Sequence, residues 1–148
     1  MDAELLARLT AWRRHLHANP RLSLDEGDTA AFVVERLRDL GVTDIATGVG
    51  GHGVVASISR GGGNRSVALR GDMDALPIAE ENAALPWRST VPGAMHACGH
   101  DGHTVALLGA AALLLADASW SGTVRLVFQP AEEGAGGAAR MVADGLFR

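Results

Sequence analysis

Residues 103–130 read HTVALLGAAALLLADASWSGTVRLVFQP. The first half, 103–116, is almost uninterrupted Ala and Leu, which are good helix formers, and it is apolar nearly all round. This composition predicts a buried helix packed on a sheet. Gly122 then leads into a β-rich run at 124–128, bounded by Pro130, which predicts a central strand.

The N-terminal forty residues show helical periodicity. Apolar side chains recur at helical spacing from Leu5 to Leu16, and Pro20 cannot continue a helix, which predicts a first helix over 2–18. A second helix follows, with Asp28 or Thr29 as its N-cap and Gly41 as its C′ residue.

Two short strands are predicted between the helical segments. They cover 54–59 and 67–69, and the Gly-rich turn 61–64 joins them, so we expect a hairpin. Helical and strand patterns therefore alternate along the chain. This order indicates an α/β fold in which helices cover a mixed β-sheet.

Composition excludes several classes of protein. The chain has 148 residues, 47% apolar and 20% charged, which predicts one folded domain, short for a complete two-domain enzyme. The net charge is −4 and the arginines are scattered, so no nucleic-acid partner is expected. The longest apolar run, about twelve residues at 105–116, falls short of the roughly twenty that span a bilayer, and no membrane partner is expected. A charged N-terminus without a signal pattern and a single cysteine predict a cytoplasmic location.

Three clusters of polar residues could carry chemistry, and each falls where a predicted strand or loop ends. In the first, Asp72 and Asp74 follow the strand at 67–69 and would point to the same side of an extended chain. Like charges held this close need a cation or a proton between them. The alternative is a polar strand end with a turn before Pro77.

The second cluster runs from His96 to His103 and holds the only cysteine, Cys98, two positions before His100. Thiolate and imidazole are ligands that zinc-type ions prefer, and a Gly-containing loop can turn both toward one ion. Asp101 could then hold a ligand imidazole from behind. The alternative is a buried Cys98 among ordinary loop histidines.

The third cluster is the pair Glu132-Glu133, which follows the predicted central strand. Adjacent carboxylates diverge, so one can bind a metal while the other acts as a general base. The alternative is an acidic start to the next helix, where negative charge suits the helix dipole.

Together the three clusters resemble the amidohydrolase and carboxypeptidase-like branch of the zinc metallopeptidases, which includes aminoacylases, hippurate hydrolases and auxin-conjugate hydrolases. The resemblance runs from near Trp12 to the end of the chain and includes the stretch RRHLHANP at 13–20. It implies a zinc-peptidase-like catalytic domain, of which residues 1–148 are a truncated N-terminal part without the dimerisation domain through which the family dimerises.

The resemblance also implies a role for each site residue. Cys98, His100 and Glu133 are implied to be metal ligands, Glu132 the general base and later acid, and Asp74 a catalytic residue that supports a ligand. The wider superfamily has a histidine where this chain has Asp72, which leaves the role of Asp72 open. One or two divalent ions are implied, zinc or manganese, with cobalt or nickel as further possibilities.

The implied activity is metal-dependent hydrolysis of amide bonds in N-acyl amino acids or small peptide-like substrates. The family places two further histidine ligands after the glutamate pair, whereas all six histidines of this chain precede Glu132. The alternative is therefore an inactive or vestigial metal-binding fragment that lacks the C-terminal ligands.

Overall fold

The computed structural model describes residues 2–147, so Met1 and Arg148 of the predicted domain lie outside the described residues. Within that range the chain forms four helices and four strands. In chain order they are α1 (Ala3–Ala18), α2 (Gly27–Asp39), β1 (Asp44–Val49), β2 (Gly53–Arg60), β3 (Ser66–Asp72), α3 (His100–Ala116), β4 (Gly122–Gln129) and α4 (Gly137–Ala143). No helix in the described range is both long and apolar enough to cross a bilayer.

Helix α1 confirms the predicted first helix. The Asp2 side chain accepts a hydrogen bond from the backbone N–H of Leu5 at 2.8 Å and so caps the first turn. The helix ends at Ala18, with Asn19 as its C-cap, directly before Pro20.

Helix α2 begins two or three residues earlier than predicted. Its N-cap is Glu26, which makes no side-chain capping bond, and Asp28 and Thr29 lie inside the first turn, so the predicted cap is wrong. The predicted end is confirmed. Gly41 has φ +92°, and the N–H of Val42 donates to the carbonyl of Leu37, as in a Schellman motif.

The strand order is β1-β2-β4-β3. Strand β4 pairs antiparallel with β2 and parallel with β3, so the predicted central strand is confirmed and the predicted hairpin between β2 and β3 is wrong. The 61–64 turn is present, but it passes over the end of β4 instead of closing a two-stranded ladder. The physical reason is burial, because β4 is the most completely buried strand and gains most from a neighbour on both sides.

The sheet separates two apolar clusters of unequal size. Helices α1, α2 and α3 pack on one face, where the core includes Leu37, Leu108 and Phe128, none of which is exposed. On the other face Val55 and Val127 pack against Met141 of α4. The prediction of helices covering a mixed sheet is therefore confirmed.

Helix α3 starts at His100, before the predicted 103, and it is not buried all round. Leu113 is 45% exposed, and Val67 on the neighbouring edge strand β3 is 54% exposed. The face of the sheet beneath α3 is covered, whereas the outer side of α3 and the free edge of β3 are open.

Candidate metal centre

Two parallel strands bring the predicted site residues to one edge of the sheet. In the parallel ladder of β3 and β4, Asp72 lies opposite Gln129, so both strands end at the same level. The polar residues that follow them meet the N-terminus of α3, which begins at His100. Carboxyl ends of parallel strands are where α/β folds place ligands.

Local backbone structure places Cys98 beside this edge. Leu76 and Met95 exchange backbone hydrogen bonds of 3.0 Å, which hold the loop before Cys98 against the segment that follows β3. Gly99 then has φ +84°, a conformation that glycine adopts without strain. This turn reorients the backbone between Cys98 and His100, so that both side chains approach one point, as the sequence suggested.

The His100 ring is held by one nitrogen and leaves the other free. Its Nδ1 lies 2.8 Å from the carbonyl oxygen of Asp74, which can only accept, so Nδ1 carries the proton and donates. In the neutral ring this tautomer leaves the lone pair on Nε2. The ring is 2% exposed, so this nitrogen is fixed in direction.

Three carboxylates surround the free Nε2 of His100. Asp72 Oδ2 and Glu133 Oε1 are each 3.7 Å from it, and Glu132 Oε2 is 4.0 Å away. Lone pairs and negative charges that converge in a largely buried space repel one another unless a cation lies between them. The arrangement suits a divalent ion.

Cys98, His100 and Glu133 each offer a ligand atom, and these atoms lie within 4.8 Å of one another. Glu133 Oε1 is buried and has no hydrogen-bond partner within residues 2–147. The adjacent Glu133 side chain, burial and the charges of the other nearby carboxylates raise the pKa of the Cys98 thiol. Sulfur, nitrogen and oxygen donors from these three side chains form a set that fits zinc-type ions.

A second group of ligand atoms shares His100 with the first. Asp72, His100 and His103 also lie within 4.8 Å of one another. Asp72 Oδ1 is 2.7 Å from His103 Nδ1, while Asp72 Oδ2 accepts from Arg70 at 2.6 Å. The arginine offsets much of the charge of Asp72, so this group attracts a cation less strongly than the first.

Sequence reasoning did not select His103 as a site residue and left Asp72 without a role. The signal for His103 was available, because residues three apart on a helix share a face and His103 follows His100 at that spacing. The contact of Asp72 with Arg70 could not be read from the sequence. The pattern Asp-x-Asp does not show which of the two carboxylates pairs with the arginine that precedes them.

Asp74 ties the other parts of the site together. It is 1% exposed, and its Oδ2 accepts from Ser23 Oγ at 2.6 Å and from the backbone N–H of Glu133 at 2.9 Å. Burial alone would raise the pKa of Asp74, but hydrogen bonds from Ser23 and from the backbone of Glu133 and Glu132 outweigh it and lower that pKa. An ionised Asp74 therefore orients His100 and anchors Glu133 at the same time.

The two adjacent glutamates differ in exposure. The side chain of Glu133 is 23% exposed and that of Glu132 is 41% exposed. The more buried carboxylate of Glu133 groups with Cys98 and His100, while that of Glu132 is more open to solvent. This difference allows one glutamate to be a fixed ligand and the other a mobile proton carrier.

Asp101 does not hold a ligand imidazole, which corrects one expectation. Its Oδ2 lies 2.8 Å from Nδ1 of His17 on α1 and 2.9 Å from Nε of Arg13. His17 in turn contacts Glu80 at 3.2 Å through Nε2. Asp101 thus links α3 to α1 and, through His17, to the loop after β3.

His96 is buried close to this linkage. It is 4% exposed, and neither ring nitrogen has a hydrogen-bond partner in the described part of the chain. Burial lowers the pKa of His96 to about 4, so the ring is neutral at physiological pH. It packs behind the site as an uncharged side chain.

Comparison with known proteins places this site in a family context. The sequence profile of peptidase family M20/M25/M40 matches residues 68–148, which include all three clusters of polar residues. Hippurate hydrolase of Campylobacter jejuni is 46% identical over 91% of this chain and 34% of its own length. N-acetyl-L-cysteine deacetylase of Bacillus subtilis is 48% identical over 93% of this chain and 33% of its own length.

A solved structure shows the same architecture. The YXEP protein of Bacillus subtilis, described as a dinuclear metal-binding peptidase from the M20 family, superposes with a TM-score of 0.93 and 40% identity. The match covers 98% of this chain and 41% of that one. The present chain spans about a third of the length of the curated relatives it matches.

Proposed function

Because the chain belongs to peptidase family M20/M25/M40, we propose that it carries the metal-holding and proton-transferring part of an amide-hydrolysing site. One observation carries the proposal. Ligand atoms of Cys98, His100 and Glu133, contributed by the loop before α3, the first residue of α3 and the loop after β4, approach within 4.8 Å of one another.

In this proposal Cys98, His100 and Glu133 hold a divalent ion, zinc or manganese, through Sγ, Nε2 and a carboxylate oxygen. Such an ion supplies Lewis acidity, which lowers the pKa of water and stabilises developing negative charge. Asp74 keeps the His100 proton on Nδ1 and so directs the Nε2 lone pair into the site. The dinuclear YXEP neighbour supports the choice of a metal site.

Glu132 is the proton carrier of the proposed reaction. Its carboxylate lies 4.0 Å from His100 Nε2 and is open to solvent on one side, so it can accept a proton from the attacking water. It can then donate that proton to the nitrogen of the leaving amine. The net reaction converts an amide and water into a carboxylic acid and an amine.

The names of the relatives support a proposal for the substrate class. Their names include hippurate hydrolase, N-acetyl-L-cysteine deacetylase and N-acyl-L-amino acid amidohydrolase. We therefore assign N-acyl amino acids, or small peptide-like amides, as the substrates of the complete site. The substrates that these names describe are small molecules in which an amide bond lies close to a carboxylate.

A metal titration tests the ligand assignment. Zinc or manganese should raise the unfolding temperature of the purified chain, since a ligand that binds only the native state stabilises it. Cys98→Ser, His100→Gln and Glu133→Gln should each weaken binding strongly, and emission spectroscopy should find less metal in each variant. Exposed residues supply matched controls, His15→Gln and Glu81→Gln, which should bind as the unsubstituted chain does.

Glu132→Gln separates metal binding from turnover. This variant should keep its metal content but lose hydrolysis of N-benzoylglycine, because the amide cannot take up a proton. Unchanged metal content in Cys98→Ser would contradict the ligand assignment. Metal uptake by the unsubstituted chain without any hydrolysis would instead favour the second candidate function, a metal-binding chain that does not catalyse the reaction by itself.

A further inference from the structure

Glu26 is a buried carboxylate with no part in the proposed reaction. It is 0% exposed and occupies the N-cap position of α2, where Asp, Asn, Ser or Thr side chains usually cap their own helix. Its side chain makes no capping bond and turns away from α2. Burying an ionisable group is costly, so this orientation needs an explanation outside α2.

The partner of Glu26 is the loop that carries the glutamate pair. Glu26 Oε1 accepts a hydrogen bond from the backbone N–H of Ala131 at 2.7 Å, and this contact is buried. Ala131 directly precedes Glu132 and Glu133 in the chain. Glu26 Oε2 has no hydrogen-bond partner among residues 2–147, so the bond to Ala131 is the one that fixes the carboxylate.

Ala131 has a backbone conformation that alanine rarely adopts. Its φ is +51°, in the left-handed region, where a Cβ comes too close to the following carbonyl oxygen. Such a conformation persists only when surrounding contacts hold it. One contact is the bond from Glu26, and the other is the N–H of Gly137, which donates to the Ala131 carbonyl at 3.0 Å.

The approach of Gly137 depends on the absence of a side chain. A Cβ on Gly137 would lie 1.7 Å from the carbonyl oxygen of Pro130. The loop between β4 and α4 is thus clamped at Ala131 from two sides. A third bond, from the N–H of Glu133 to Asp74, fixes the loop two residues later.

We propose that Glu26 is a positioning residue whose carboxylate holds the left-handed turn at Ala131 and thereby aims Glu132 and Glu133 at His100. The inference rests on the proposed function, because it assigns the turn a purpose only if Glu133 binds metal. It adds Glu26, from the N-terminus of α2, to the residues that support the site, although Glu26 lies more than a hundred positions from Ala131 in sequence.

Cobalt(II) ion alone is a suitable probe for this inference, because thiolate ligation produces an absorption band that reports Cys98 directly. Glu26→Asp withdraws the carboxylate by one methylene and should weaken cobalt binding by about tenfold or more, the scale found for residues that orient metal ligands. Glu26→Gln retains an acceptor oxygen and should bind within about threefold of the unsubstituted chain. Glu35→Asp and Glu35→Gln, on the exposed side of α2, are the matched controls.

A double-mutant cycle distinguishes positioning from a general loss of structure. If Glu26 acts through Glu133, then Glu26→Asp should cause no further loss of cobalt affinity in a Glu133→Ala background. The thiolate band should remain in Glu26→Asp at saturating cobalt. Additive losses, or loss of the band at saturation, would show a merely structural role and overturn the inference.

The outcomes also separate this inference from the proposed function. Failure of the unsubstituted chain to bind cobalt overturns both. Cobalt binding that Glu133→Ala weakens but Glu26→Asp leaves unchanged overturns the inference alone. Glu26→Gln covers the case in which Glu26→Asp does not fold, since a tenfold loss in a folded Glu26→Gln chain would contradict the role of the acceptor oxygen.

Discussion

At the scale of single residues, the site is held by pairs of groups that change each other's chemistry. The Cys98 side chain is exposed and lies beside Glu133, and this carboxylate is the main cause of the raised pKa of the Cys98 thiol. A cation between them would reverse the effect, because it favours the thiolate that a metal needs as a ligand. The same contact therefore keeps the metal-free thiol protonated and prepares the metal-bound thiolate.

This reversal predicts the reactivity of Cys98. In the metal-free chain, alkylation by iodoacetamide should reach half its maximal rate at a pH above the ordinary thiol pKa, because the thiolate is the nucleophile. Glu133→Ala should shift that midpoint to lower pH, since it removes the carboxylate that is the main cause of the raised pKa. The measurement is the pH dependence of the alkylation rate, with Glu81→Ala as the control.

An unchanged midpoint in Glu133→Ala would contradict the contact between Cys98 and Glu133. Added zinc should slow alkylation of the unsubstituted chain at every pH, since a ligated sulfur is blocked. If zinc protects the thiol equally in Glu133→Ala, the carboxylate contributes little to metal binding.

At the scale of elements, the loop between β3 and α3 is pinned to the C-terminal end of α1. The carbonyl of Ala18 accepts from both the backbone N–H and the hydroxyl of Thr90, at 2.8 Å each. Glu80 contacts His17 through one oxygen and accepts from the N–H of Ser89 through the other. These contacts anchor the segment that leads to Cys98.

The Glu80 contact predicts a pH dependence of stability. Burial would raise the pKa of Glu80, but hydrogen bonds from Ser89 and His17 outweigh it and lower that pKa below the ordinary value. Because the folded-state pKa is depressed, the contact stabilises the fold fully above the ordinary glutamate pKa of about 4.3 and loses its effect as pH falls through the folded value.

The free energy of unfolding should therefore differ most between the unsubstituted chain and Glu80→Gln near pH 7. Urea unfolding at several pH values should show that difference shrinking toward about pH 3. Glu81→Gln, on the exposed neighbouring residue, should show no comparable trend. A difference between Glu80→Gln and the unsubstituted chain that stays constant with pH would mean that the charge of Glu80 does not matter.

At the scale of the whole molecule, the strand order decides where stability and chemistry lie. Strand β4 has neighbours on both sides and carries Leu126, which is fully buried. Strand β3 lies at the edge, with Val67 more than half exposed. The candidate metal site forms at the carboxyl ends of two neighbouring strands because β3 runs parallel to β4, which brings Asp72 level with Gln129.

Two substitutions test this order. Leu126→Ala should lower the free energy of unfolding by about 2–5 kcal/mol, because it leaves a cavity in the core. Val67→Ala should change it by less than about 0.5 kcal/mol, as is usual for exposed positions. Urea unfolding of both variants checks the pair. Equal losses of unfolding free energy in the two variants would indicate that β3, like β4, has a neighbour on each side in solution.

Much of this molecule followed from local patterns. The periodicity of 2–18, the glycine after α2 and the apolar runs at 103–116 and 124–128 predicted three helices and the central strand, because these elements depend on neighbours a few positions apart. Residue type alone made Cys98, His100 and the Glu132-Glu133 pair candidate metal ligands, because few other side chains bind metal. The α/β class followed from the alternation of these elements.

Tertiary structure alone decided the partners of those elements. A Gly-rich turn between two strands favours a hairpin locally, but the gain from burying β4 on both sides separates β2 from β3. Likewise, no local pattern shows that Asp101 contacts His17 or that Glu26 holds Ala131, since these pairs lie 84 and 105 positions apart. Local sequence determines backbone preferences and the available chemistry, whereas the pairing of distant groups depends on the free energy of packing the whole chain.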